Sequence, residues 1–159
     1  MLILFTPFTL FSESSDNKTI KPINAKSTIT TIVSGTSRAY YPLSSKNSSL
    51  LTLNGPGQLR IITRVRFIPN EKNTISYKVN YKIDGGIKNV IDFKNVHRSK
   101  TAIYKIDTLG IPGEEGDIII KLGGGEHNIK VWLDSENPKV ASRYIFTPKN
   151  EKKLSWVTM

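Results

Sequence analysis

The chain contains no cysteine. Thiolate nucleophiles, zinc–thiolate sites, iron–sulfur clusters and disulfide staples are therefore excluded. Histidine is nearly as scarce: His97 and His127 are the only two, and nothing near either has the spacing of a metal-ligand set. There is no G-x-S-x-G elbow and no H-E-x-x-H pair. The run Gly123-Gly124-Gly125 is followed by strand-forming rather than helix-forming residues, so it does not make a phosphate cradle. No apolar window is long enough to cross a membrane as a helix, and no stretch carries a convincing helical period. Acidic residues are the minority, with 13 Asp/Glu against 23 Lys/Arg and a net charge of +10. These absences argue against an enzyme, and they predict no metal site and no cofactor.

What is present is alternation. In residues 58–68, Leu59, Ile61, Thr63, Val65 and Phe67 point one way, and Arg60, Ile62, Arg64 and Arg66 the other. In residues 74–83, Ile75, Tyr77, Val79, Tyr81 and Ile83 share a face opposite Ser76, Lys78, Asn80 and Lys82. Period-2 alternation rich in β-branched and aromatic residues marks half-buried strands. The turn Asp84-Gly85-Gly86 leads to a third strand over residues 87–93. The expectation is a three-stranded antiparallel meander, opened by Gly55-Pro56-Gly57, with one apolar and one basic face.

Further strands are predicted over residues 28–33, 38–43, 50–53, 101–106, 117–122, 127–133 and 139–146, with Gly123-Gly124-Gly125 as a hairpin connection. About nine strands separated by turn signals predict an all-β fold, an antiparallel two-sheet β-sandwich of jelly-roll or Ig-like type, with a β-barrel as the alternative. The pattern Gly125-x-His127-x-Ile129-x-Val131-x-Leu133 resembles the late hairpin of many exported β-sandwich modules. Residues 1–14 combine an apolar stretch with small residues at Ser12 and Ser14, the mark of a signal peptide without its basic start. Residues 15–27 read as a polar leader, and residues 28–159 as a single domain. A secreted, periplasmic or cell-surface location follows as an expectation.

The positive charge is unevenly spread. Residues 58–109 hold 11 Lys/Arg against 4 Asp/Glu, whereas residues 110–159 hold 7 of each. The basic stripe Arg60, Arg64 and Arg66, extended by Lys78 and Lys82, is therefore the candidate ligand-binding surface, with an anionic partner. Trp132 shares its face with Asn128 and Lys130 and is a candidate stacking platform. Tyr40, Tyr41 and Trp156 are weaker members of that set. The acidic loops, Glu114, Glu115 and Asp117 in one and Asp134 and Glu136 in the other, read as solvated, with calcium as the minor alternative, and the separation that would make a hydrolytic carboxylate pair is not visible in sequence. The expected function is a non-catalytic exported module that binds a glycan, a polymer or a protein partner in the cell envelope. The alternatives are a nucleic-acid-binding barrel, which lacks aromatics interleaved with the stripe, and a small hydrolase.

Overall fold

The computed structural model of the chain describes residues 16–69 and 72–149. The predicted signal segment, Trp156 and the last lysines, Lys152 and Lys153, lie outside the described residues. Ten strands form within them: β1 (Lys18–Ile20), β2 (Ile29–Val33), β3 (Thr36–Leu43), β4 (Ser49–Phe67), β5 (Ile75–Ile83), β6 (Asn89–Val96), β7 (Ala102–Tyr104), β8 (Ile111–Pro112), β9 (Gly116–Trp132) and β10 (Val140–Pro148). Every pairing is antiparallel. The strands run β6-β5-β9-β4-β10-β3-β2-β7 across the sheet, with β1 added to β10 and β8 to β4. The predicted all-β sandwich is what forms, made from one strongly curled antiparallel sheet.

The curl is set by the β4/β9 ladder. A straight strand of 19 residues would be about 60 Å long at 3.3 Å per residue. A domain of this length has a radius of gyration of about 15 Å, so the ladder must fold over. It does so where Gly55 pairs with Gly125 and Gly57 with Leu122, a register shift that leaves Gly123 and Gly124 opposite Pro56. This bulge bends both strands together. A Cβ on Gly55 would lie 1.9 Å from the Gly123 carbonyl oxygen, and one on Gly57 would lie 2.4 Å from the Phe146 ring. Only glycine lets the chains approach so closely. The two glycine clusters are thus not chain reversals, as the sequence suggests, but the two sides of one kink. Residues 50–53 are correspondingly the first part of β4, not a separate strand.

The bend turns both halves of β4 toward one core. Leu51 and Leu53 from the first half meet Leu59, Ile61, Val65 and Phe67 from the second, with Tyr77, Val79, Ile120, Val131, Tyr144 and Phe146. The predicted inward set, Leu59, Ile61, Thr63, Val65 and Phe67, is at most 1% exposed. The meander itself is corrected. β5 pairs with β6 and β9 and not with β4, because β9, arriving later in the chain, takes the edge of β4 on that side. The β5–β6 turn is as predicted: Asp84 and Gly85 both have positive φ, 52° and 69°, and the Gly86 N–H donates to the Ile83 carbonyl at 2.9 Å.

The second face of β4 is also covered. The β2–β3 hairpin and β7 lie over it, and Tyr40, Ile62 and Ala141 form a small second core there with Ile29 and Ile145 at its margin. Arg64 is only 4% exposed. A strand expected to be open on its basic face is therefore buried on both faces over residues 61–65. β1 falls within the stretch read as a polar leader, and pairs Lys18–Ile20 with residues 144–146 of β10.

Candidate functional site

The arginines of β4 do not share one surface. Arg60 reaches the solvent-facing margin, where its Nε donates to Asp117 at 2.7 Å and its Nη2 to Glu115 at 2.9 Å. Those contacts, the Asp117 hydrogen bond foremost, hold Arg60 charged above its ordinary range. Arg64 sits beneath the β2–β3 hairpin. Its guanidinium donates to the Tyr40 hydroxyl at 3.0 Å and to the Gly113 carbonyl at 2.9 Å, and reaches Glu115 at 3.4 Å. Arg66 lies further along β4, between two other pockets, and its buried Nε has no hydrogen-bond partner. The acidic loop read as a possible calcium ligand set is thus engaged with arginines, and among the described residues no group of three acidic or histidine side chains can hold a metal.

The lysines and Trp132 belong elsewhere. Lys82 pairs in register with Lys130, and Asn80 with Trp132. The ammonium groups of Lys82 and Lys130 lie 5.7 Å and 5.1 Å from the Trp132 ring centroid, within cation–π range. Trp132 is half-buried beside Asn80, which is fully buried and donates to Asp134 at 2.8 Å. Lys78 pairs with Asp92 across the β5–β6 hairpin. These groups occupy the outer face of the layer made by β6, β5 and the second half of β9. Lys78 and Lys82 do not extend the arginine stripe, because β5 is not the neighbour of β4.

What the structure brings together around Arg60 and Arg64 is a cleft of about 370 Å³. Its floor is the outer face of β4 and β10, with Ile62, Arg143 and Ile145. One wall is β1 with Asn17 and Thr19, and the other is the β2–β3 hairpin with Arg38 and Tyr40. Arg143 is 9% exposed. Among the described residues its guanidinium makes one side-chain hydrogen bond, to the Thr19 hydroxyl at 3.3 Å. Burial, and then the neighbouring Arg38 cation, lower its pKa from the ordinary value. Among the described residues neither Arg38 nor Arg143 has a carboxylate within ion-pair distance. Four guanidinium groups thus face two carboxylates, and the uncompensated pair sits at the end of the cleft away from Glu115.

Arg38 and Arg143 are the site residues that the sequence reading does not single out, whereas Tyr40, a weaker stacking candidate there, is a buried hydrogen-bond partner of Arg64 instead. A signal for Arg143 exists: it alternates with Ala141 and Ile145 on the face opposite Val140, Ser142, Tyr144 and Phe146, an isolated cation in an apolar strand. Two buried phenols nearby are structural. Tyr77 and Tyr144 are pushed up to about 12 by burial and hydrogen-bond to Thr63 and Ser142. Neither phenol can act as a base near neutral pH.

No family model and no curated protein matches the chain. Among solved structures it is similar to a family 35 carbohydrate binding module from Clostridium thermocellum, at 13% identity and a TM-score of 0.46, covering 84% of this chain and 95% of that one. It is also similar to the exo-beta-1,3-galactanase of Phanerochaete chrysosporium, at 13% identity and 0.45, covering 82% of this chain and 29% of that one. A third is a family two carbohydrate esterase from Cellvibrio japonicus, at 12% identity and 0.48, covering 84% and 34%. The chain therefore spans under a third of the galactanase.

Proposed function

We propose that the chain is a non-catalytic β-sandwich module that binds an acidic glycan in the cleft between β1 and the β2–β3 hairpin. One observation carries this reading: Arg143 is buried, uncompensated and set beside a second uncompensated cation, Arg38. A buried guanidinium without a counter-charge is costly, and an anionic ligand removes that cost. Arginine is the residue suited to planar, two-pronged capture of carboxylate or sulfate oxygens.

The rest of the lining favours a glycan over a nucleic acid. Glu115 at one end can accept hydrogen bonds from hydroxyls, which a glycan offers on every sugar ring. Tyr40 is 2% exposed and offers no ring for a base to stack on. Export of the module, with a cut after Ser14, belongs to the same proposal and rests on the residue pattern of the first 14 positions. An amino terminus at Ser15 in the mature protein would support it.

The test compares retention on heparin and on polygalacturonate for the wild type, for Arg38→Gln with Arg143→Gln, and for the exposed pair Lys100→Glu with Lys105→Glu. Loss of charge-assisted hydrogen bonds worth about 1.5–3 kcal/mol each should weaken the cleft variant at least tenfold on one of the two polymers. The lysine variant should change only modestly, as expected for screened surface charge. Equal losses from both variants, or tighter binding of a single-stranded oligonucleotide than of either glycan, would refute the reading.

A further inference from the structure

Further along β4, beyond the contact between Arg64 and Tyr40, Arg66 borders a separate pocket of about 260 Å³. Leu43 and Val140 give it an apolar floor. Tyr104, itself 5% exposed, contributes a phenol, and Lys139 and Glu136 stand at its rim. The Nε of Arg66 is buried and has no hydrogen-bond partner. Among the described residues no carboxylate lies within ion-pair distance of its guanidinium. Glu136 does not neutralise it, because its Oε2 accepts from the Ser45 hydroxyl at 2.7 Å and the Lys46 N–H at 3.1 Å, which fixes it on the adjacent turn.

The chemistry of this pocket is that of a receptor for a negative head on an apolar body. A buried N–H of a charged group left without an acceptor is destabilising. Burial raises the Tyr104 phenol to about 12, so it stays a neutral hydroxyl able to donate across the physiological range. The Lys139 ammonium adds positive potential at the mouth. An inorganic anion would satisfy the donors and leave the apolar floor uncovered. We infer that the pocket binds a compact organic carboxylate with an apolar body, its carboxylate held by Arg66 and Tyr104 and its body against Leu43 and Val140. The site is distinct from the arginine cleft, and its ligand need not be a glycan.

The experiment is a titration of the full chain with benzoate, with benzamide as the neutral isostere, followed through the arginine Nε–H signals in proton–nitrogen correlation spectra. The Arg66 signal is assigned in the wild type by through-bond correlation of its Nε–H, along the side-chain carbons, to the Arg66 backbone. Benzoate should shift that signal saturably, benzamide should bind at least tenfold more weakly, and Arg66→Lys, which keeps the charge but loses the fixed donor, should weaken benzoate at least tenfold. The wild-type titration stands whether or not the variant folds. The proposal fails if the Arg66 signal does not saturate, if benzamide binds as well as benzoate, or if benzoate moves Arg38 and Arg143 instead. Those last two signals report the cleft, so failure here leaves the glycan reading to its own test.

Discussion

Both ring nitrogens of His127 face acceptors, Nδ1 to Asp84 at 2.8 Å and Nε2 to the Gly123 carbonyl at 2.9 Å. Only the doubly protonated imidazolium donates to both. Its pKa is raised, chiefly by Asp84. That of Asp84 is lowered, chiefly by the Asn128 N–H and then by His127. A raised histidine contributes stability that is complete below its ordinary value of 6.5 and lost as pH climbs through the folded value. A lowered aspartate contributes above its ordinary value of 3.8 and is lost as pH falls through the folded value. The clamp between the β5–β6 turn and the bulge should therefore be strongest between these two pH values. Melting curves of wild type and His127→Gln across pH 3 to 9 should differ most near pH 5 and converge at both extremes. A constant difference would show that the contact is steric. The partner of His127 is not legible in sequence, since Asp84 is 43 residues away. The arginines show the same limit: alternation assigns Arg60, Arg64 and Arg66 to one face, but three different neighbours then decide which is paired, buried or free.

At the scale of elements, the strands themselves were legible because their cause is local. Burial of Leu59, Ile61, Val65 and Phe67 on one side follows from period-2 patterning, and the Asp84-Gly85 turn from its need for positive φ. The bulge looks like two turns in the sequence because the same residues permit both outcomes. Glycine and proline mark a sharp change in direction, but whether the chain reverses or merely kinks depends on the partner strand, about 70 residues away. The missing β4–β5 pairing and the cover over Arg64 have the same origin, for each is decided by elements distant in sequence. The kink makes a specific prediction. A methyl on Gly57 would meet the Phe146 ring at 2.4 Å and the Thr147 carbonyl at 2.8 Å, whereas one on Gly124 would meet nothing within 4 Å. Gly57→Ala should cost about 1–3 kcal/mol through overpacking, and Gly124→Ala should stay within about 0.5 kcal/mol of wild type. Denaturant unfolding of both variants measures the difference. Equal midpoints would place the bend elsewhere in the ladder.

The whole molecule carries +10 and concentrates part of that excess where it is least screened. Arg38 and Arg143 are held side by side by β3 and β10, one of them buried, so the free protein bears their repulsion as well as the desolvation of Arg143. Binding sites commonly hold such strain, and removing it tends to raise stability at the expense of function. Arg143→Met keeps much of the side-chain volume and removes the charge. It should leave the free domain as stable as wild type or more so, while abolishing stabilisation by an acidic glycan. For wild type, ligand at 100 times its dissociation constant should contribute about 2.7 kcal/mol, a rise in melting temperature of about 5–10 °C for a domain of this size. Added salt should separate the two effects. In wild type it relieves the Arg38–Arg143 repulsion and weakens the ligand together, so the free and liganded melting curves should converge. In Arg143→Met the free curve should respond less to salt, and the liganded curve should already coincide with it. A variant that melts well below wild type without ligand would mean that Arg143 stabilises the fold, and the cleft would then be a structural arginine cluster rather than a receptor.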